Sequence, residues 1–482
     1  MTGPGSFIDG AVFAARSLYE AASNLWSPRL RLGVTGLSRS GKTIFITALV
    51  QALVAGGRLP TLRAQASGRI RRVALTPQPD AAVPRFAYED NLAALAGADR
   101  HWPASTTRIS ELSIEIEYES DASWFAGART LTVDIVDYPG EWLLDLPLIE
   151  QSYADFCRES LEASRQPVRL ALSGEWRAHL ASLDPQAPMS EATAMAAADA
   201  FRRYLSAARA EPHSLSLLPP GRFLMPGELA QSPALTFAPL DLGLSSAIAE
   251  GSLAALMQQR FEAYRRHVAL PFFREHFARL DRQIVLVDLL TPLNAGAAAV
   301  ADLEAALDRV LAAFRVGRNS LVSALFAPRA DKVLFAATKA DRLHHTSHDR
   351  LQTILGLLVE RALRRADDAG AKTQSLALAA IRATREAKVR DGRATLNAVI
   401  GIPEAGERIG DQLFDGLTEA AIYPGELPDD PKVALDAKGG LDLRFLRFRP
   451  PLVRPDAIGK TPPAPHIRLD RAIDFLIGDQ LA

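Results

Sequence analysis

Arg29 to Gly57, RLRLGVTGLSRSGKTIFITALVQALVAGG, is the stretch whose reading decides the fold. Leu30, Leu32 and Val34 alternate with Arg29, Arg31 and Gly33, the two-residue period of a strand. Lys42 to Val54 then reads as a helix closed by Gly56 and Gly57. Between them, Gly36-Leu37-Ser38-Arg39-Ser40-Gly41-Lys42-Thr43 fits G-x-x-x-x-G-K-[ST], a pattern this composition produces by chance only about 0.004 times. The glycines let the backbone curl so that the N–H groups of Ser38, Arg39, Ser40, Gly41, Lys42, Thr43 and Ile44 point at phosphate oxygens, over the positive end of the helix. Lys42 is expected to bridge the outer phosphates and Thr43 to bind magnesium through its hydroxyl.

The rest of the composition narrows the class. The chain has 482 residues, 48% hydrophobic and 23% charged, which excludes collagen-like, disordered and disulfide-scaffold proteins. Lys and Arg together number 55 against 56 Asp and Glu, a net charge of −1, so no basic excess points to nucleic acid. Cys157 is the single cysteine; without a secretory leader, this predicts a reducing cytoplasm. No run approaches the ~18 apolar residues of a membrane span. Residues 1–28 predict an amphipathic helix with Ile8, Val12, Ala15, Tyr19, Ala22 and Trp26 on one stripe. Its polar face lacks the several basic residues of a membrane-surface helix, so packing on the protein's own body is favoured over peripheral membrane contact.

Outward from the loop, residues 58–105 carry five prolines and read as mostly loop with a short helix near Asn91 to Ala96. Ile109–Tyr118 and Arg129–Gly140 alternate and predict a hairpin. From Glu141 to Arg282 helical patterns dominate, with one Pro-rich stretch, PHSLSLLPPGRFLMPGELAQSP, which predicts an inserted all-α domain of about 140 residues. From Gln283, apolar strands (QIVLVDLL, KVLFAA, SLALAAI) alternate with amphipathic helices, the signature of a parallel sheet covered on both faces. The domains predicted are thus 29–140 with 283–482 as one α/β unit, interrupted by 141–282. The tail predicts short strands (NAVIGIP, LDLRFLRF) and a terminal helix.

Three further motifs follow in order. Asp137-Tyr138-Pro139-Gly140 ends the second hairpin strand, where Asp137 can hold magnesium directly or through water and Gly140 can offer an N–H to the terminal phosphate. Thr338-Lys339-Ala340-Asp341 follows KVLFAA in a chain with only eight lysines against 47 arginines. The Asp341 carboxylate could accept both hydrogen bonds from guanine N1–H and the 2-amino group, while the Lys339 stem lies along the base. After the next strand, Ile381 and Arg382 stand where a backbone N–H could meet the guanine oxygen.

The order GLSRSGKT, hairpin, DYPG, TKAD and AAIRAT resembles the Ras-like GTPases. The finer text, HWPASTTRIS, DYPGEWLLDLPL, PPGRFLMPGEL, RRHVALPFFREHFARLDRQIVLVDLLTPLNAG and AAIRATRE, resembles the YcjX-like family of P-loop NTPases. The resemblance implies a Ras-like P-loop core, α/β with a mostly parallel sheet and one antiparallel hairpin strand. It also implies a nucleotide-dependent switch that binds and slowly hydrolyses GTP with Mg2+, an unidentified protein partner docking on the helical domain, and an association with stress response. An ATPase with the same phosphate chemistry, or an adaptor with negligible turnover, would use the same loop. Glu141 stands where Ras-like proteins place the Gln that orients water; its carboxylate could accept the water's proton but would repel the phosphate. The threonine of the first switch is Thr106 or Thr107, with Thr107 preferred because Arg108 begins the strand. Arg39 is either a transition-state cation or a solvated arginine.

Other candidates carry less. His344, His345 and His348 have helical metal-ligand spacing but no cysteine partner. Arg69, Arg71 and Arg72 read as a solvated basic face in a loop. Cys157 reads as a buried structural thiol.

Overall fold

The computed structural model describes residues 28–312, 330–454 and 461–482, apart from residues 38, 105, 121–126, 212, 244–247, 369, 393 and 437–440. The helix expected over residues 1–28 and the loop residue Ser38 lie outside the described residues. Strands β1 (Arg29–Gly36), β2 (Ile70–Thr76), β3 (Ser110–Glu119), β4 (Ala128–Asp137), β5 (Arg282–Val287), β6 (Lys332–Ala337) and β7 (Lys372–Ala377) form one sheet in the order β2-β3-β4-β1-β5-β6-β7. β1 pairs in parallel with both β4 and β5, and β6 and β7 continue in parallel. Only β3 runs against the others, pairing antiparallel with β4 and β2. Every residue of β5 and β6 is buried, which is why those strands are apolar runs rather than alternations.

Helices cover both faces. Leu30, Leu32 and Val34 pack with the helix Lys42–Val54 and the terminal helix Leu469–Ile477. Val136, Val285, Val287, Val333 and Phe335 face the opposite way, toward the helices Leu290–Ala295, Ala297–Ala312 and His348–Leu358. Arg282, fully buried at the start of β5, ties the terminal helix to the sheet through Asp331 at 3.0 Å and Asp479 at 2.5 Å.

Residues 58–105 are mostly loop as expected, with the expected short helix at Tyr88–Leu95, and β2 and the turn of helix Arg63–Ala66 are the additions. The sequence Ile70–Thr76 lacks strong alternation because it is an edge strand, and its arginines are charged edge positions: Arg71 pairs with Glu119, and Arg72 with Glu117 at 3.4 Å. Whereas Trp142 to Leu146 and Phe272 to Leu280 pack into the core on one face of the sheet, the described residues between Leu148 and Val268 form helices and connecting loops around a further apolar cluster. Phe156, Trp176, Phe201, Tyr204, Phe237 and Phe261 dominate it, with Phe156 and Phe261 stacked at 5.1 Å and Trp176 and Tyr204 at 5.3 Å. Cys157 is buried there; its Sγ accepts from the Leu240 N–H at 3.3 Å, and burial pushes the thiol up to about 12. In the tail, NAVIGIP contributes to β9 (Ala394–Gly401), paired with β8 (Arg385–Asp391). LDLRFLRF is not a strand; it is extended, with one bridge from Phe448 to Pro403. Among the described residues no helix is long and apolar enough to cross a membrane.

Candidate functional site

The loop between β1 and the helix Lys42–Val54 owes its curl to two left-handed residues, Arg39 (φ 61°) and Gly41 (φ 86°). Gly41 caps the helix, and the Lys42 Nζ donates to the Gly36 carbonyl at 3.0 Å. Ser40 is buried with no hydrogen-bond partner for its Oγ. Gly140, directly beyond β4 and Pro139, presses against this loop: a Cβ there would lie 1.7 Å from the Gly36 oxygen. Only glycine permits that approach.

The parallel pairing of β1 with β4 brings Asp137 beside the loop. Its Oδ2 accepts from the Thr106 hydroxyl at 2.6 Å, and Thr106 Oγ1 lies 3.2 Å from Thr43 Oγ1. Asp137 is fully buried, and its Oδ1 has no partner. Burial pushes its carboxyl up to about 6 although the Lys42 charge and the Thr106 bond pull it down. Two hydroxyls and one orphaned carboxylate oxygen are a hard, all-oxygen donor set that fits Mg2+. The sequence preferred Thr107 for this corner. The structure brings the Thr106 hydroxyl there instead, between Thr43 and Asp137.

A second cleft opens beside the loop, lined by Gly41, Ile44, Lys339, Asp341 and Ile381 among others. Lys339 is left-handed (φ 62°), and its Nζ reaches Asp288 Oδ2 at 2.6 Å. Burial lowers the Lys339 pKa while Asp288 opposes it; for Asp288, the Lys339 and Arg342 charges outweigh burial and hold the carboxyl below its usual range. Asp341 is buried, which raises its pKa. Its Oδ2 accepts from the Ala383 N–H at 2.9 Å, and its carbonyl accepts from the Thr384 hydroxyl at 2.5 Å. Those bonds bind the loop after β6 to the loop after β7 at the cleft floor. Trp102 and Phe448 also line the cleft, joined by Trp102 Nε1–H donating to the Phe448 carbonyl at 2.7 Å.

The chain matches the model of the YcjX-like family, DUF463, over residues 30–481. It belongs to the YcjX-like family. It is 39% identical over 469 residues to the Escherichia coli (strain K12) protein named Ras-like GTPase YcjX, covering 94% of this chain and 96% of the relative. It is 33% identical over 483 residues to the Shewanella oneidensis protein of the same name, with 94% of each covered.

Against this family background, several expected residues stand elsewhere. Arg382 does not line the cleft: its N–H donates to the Pro465 carbonyl at 2.6 Å and its guanidinium faces Glu386 at 3.4 Å. Glu141 is buried, and its carboxylate pairs with Arg209 at 2.6 Å. The Arg39 side chain is half exposed and pairs with Glu211 at 2.5 Å. His344 and His345 approach Glu386 at 3.9 and 2.7 Å, but Arg382 shares that carboxylate, and His348 bonds the Ala340 carbonyl at 2.8 Å instead.

Sequence reasoning missed Asp288, Trp102, Phe448 and Arg209. Asp288 had a signal, as the carboxylate ending the QIVLVD strand one crossover before TKAD. The other three come from segments remote in sequence that only packing brings in.

Proposed function

We propose that this protein is a Mg2+-dependent GTPase whose helical segment, an inserted domain over 141–282, responds to the state of the bound nucleotide. The names of the two relatives support GTP as substrate. The phosphates are held by the loop's N–H groups and Lys42, with Thr43, Thr106 and Asp137 as the residues that would hold the metal. Bound there, Mg2+ neutralises phosphate charge. Guanine enters the second cleft, with Asp341 accepting from its N1–H and 2-amino groups and the Lys339 stem against its face, the ammonium anchored by Asp288. Adenine offers Asp341 no such pair of donors.

The observation that carries the switch reading is the set of contacts that the helices make with Glu141 to Asp145, the stretch that follows Gly140, together with one ion pair to the loop after β1. Glu211 meets Arg39 of the loop, and Arg209 meets Glu141. The buried Asp145 accepts from the Gly221 N–H at 2.7 Å and the Tyr264 hydroxyl at 2.6 Å. Trp142 Nε1–H donates to the Met225 carbonyl at 2.8 Å, with the Arg222 guanidinium 3.1 Å from its ring centroid. A Cβ on Gly221 would lie 1.7 Å from the Glu141 oxygen, so the two backbones move together or separate altogether. A terminal phosphate that draws Gly140 inward therefore biases the helices through Glu141 to Asp145. Hydrogen exchange over 141–282, compared between GDP and a non-hydrolysable GTP analogue, tests this. We expect altered protection at the contacts above; identical protection throughout would leave a static cover.

A further inference from the structure

The bond between Glu141 and Arg209 bears on hydrolysis itself. Glu141 follows Gly140, the residue pressed on the phosphate loop, so an unneutralised carboxylate there would oppose a triphosphate. The residue that neutralises it comes from 68 positions away, at the last turn of the helix Glu191–Arg209. One Arg209 terminal nitrogen donates to Glu141 at 2.6 Å, and the other to the Met225 thioether at 3.5 Å. Two residues further on, Glu211 grips Arg39 of the phosphate loop at 2.5 Å. The chain from Arg209 to Glu211 therefore joins the residue after Gly140 to the loop after β1.

We propose that Arg209 is the charge-stabilising catalytic arginine for GTP hydrolysis, delivered in cis by the helical segment and latched by Glu141. This rests on the GTPase reading above. In the reaction the water oxygen bonds to the γ-phosphorus while the bond to the β,γ-bridging oxygen breaks. The electron pair of that bond stays on the β-phosphate, and the water's proton ends on the released phosphate. Negative charge moves onto the bridging and β-phosphate oxygens, and a planar guanidinium can hold a carboxylate on one edge and a phosphate oxygen on another. Arg209 is the arginine bonded to Glu141, whereas Arg222 lies over the Trp142 ring and the half-exposed Arg39 pairs with Glu211.

The test uses the full chain and four proteins: wild type, Arg209→Ala, Arg209→Lys and Arg203→Ala. Affinity is read with a fluorescent non-hydrolysable GTP analogue, hydrolysis by single turnover, and transition-state binding by capture of GDP with aluminium fluoride. We expect Arg209→Ala to bind the analogue within about threefold of wild type, to hydrolyse GTP about 10²–10³-fold more slowly, and to lose the aluminium fluoride complex. Arg209→Lys keeps a charge but not the fork, so it should fold and bind normally yet stay well below the wild-type rate. Arg203→Ala removes an exposed ion pair on the same helix, to Glu175 at 2.9 Å, and should hydrolyse normally. If Arg209→Ala hydrolyses within threefold of wild type, the proposal is overturned. If Arg209→Ala fails to fold or bind, Arg209→Lys decides, and a wild-type rate there overturns the proposal. Failure of the underlying reading looks different, because wild type itself would not bind the GTP analogue.

Discussion

Tyr264→Phe removes one oxygen from the link between the phosphate site and the helical segment and keeps the ring. Tyr264 is fully buried, and its ring lies 5.3 Å from that of Phe237, so the substitution leaves the packing in place. It deletes the hydroxyl that donates to Asp145 Oδ2 at 2.6 Å. Burial raises the Asp145 carboxyl from 3.8 to about 6, with the Tyr264 and Gly221 bonds pulling against it. A folded-state pKa above the unfolded one means that this group's contribution is fully present below about 3.8 and is lost as pH rises through about 6. At pH 7.5 Asp145 is ionised, and the lost bond is a charge-assisted one worth about 1.5–3 kcal/mol. At pH 5 Asp145 is protonated in the folded protein, and the same deletion removes a neutral bond worth about 0.5–1.5 kcal/mol. Thermal unfolding of wild type and variant at both pH values gives the comparison, since other titrating groups contribute alike to both proteins. We expect a midpoint several degrees lower for the variant at pH 7.5 and roughly half that loss at pH 5. An equal loss at both values, or none at pH 7.5, would refute the reasoning.

Gly140→Ala should abolish single-turnover GTP hydrolysis with the fold intact by circular dichroism, because its Cβ would stand 1.7 Å from the Gly36 oxygen; normal hydrolysis would show that this contact is dispensable. Lys42→Ala should lose nucleotide binding in calorimetry while keeping its circular dichroism, since the lysine supports ligand rather than core. Asp341→Asn should weaken GTP binding by about 100-fold or more, from the loss of two charge-assisted bonds to guanine. In wild type, nucleotide binding should change Trp102 fluorescence, with the response lost in Trp102→Phe.

The strand, glycine turn and helix over Arg29 to Val54, and the parallel strands of the sheet, were legible because each is local: a strand period, a glycine pattern, a helix start. β5 and β6 read clearly as buried apolar runs. β2 did not, because an edge strand with arginines at its exposed positions looks like a loop. Thr106 against Thr107 could not be settled by spacing, since the two differ only in which way the chain turns before β3. Glu141 and Arg382 were placed by motif order, which fixes where a backbone passes but not what its side chain meets. Arg209 and Pro465 are the partners that redirect them, and both arrive from distant segments. Trp102 and Phe448 were invisible for the same reason, being 346 residues apart and joined by one hydrogen bond.

Selection of guanine is the claim on which the whole site reading turns, because Lys339, Asp288 and Asp341 are otherwise only a buried polar cluster beside a phosphate loop. Calorimetric titration of the wild-type chain with GTP and with ATP, each with Mg2+, tests it most directly. We expect GTP to bind at least about 100-fold more tightly, as a site that pairs with a substrate's N–H groups rejects the analogue lacking them. ATP binding as tightly as GTP would contradict it.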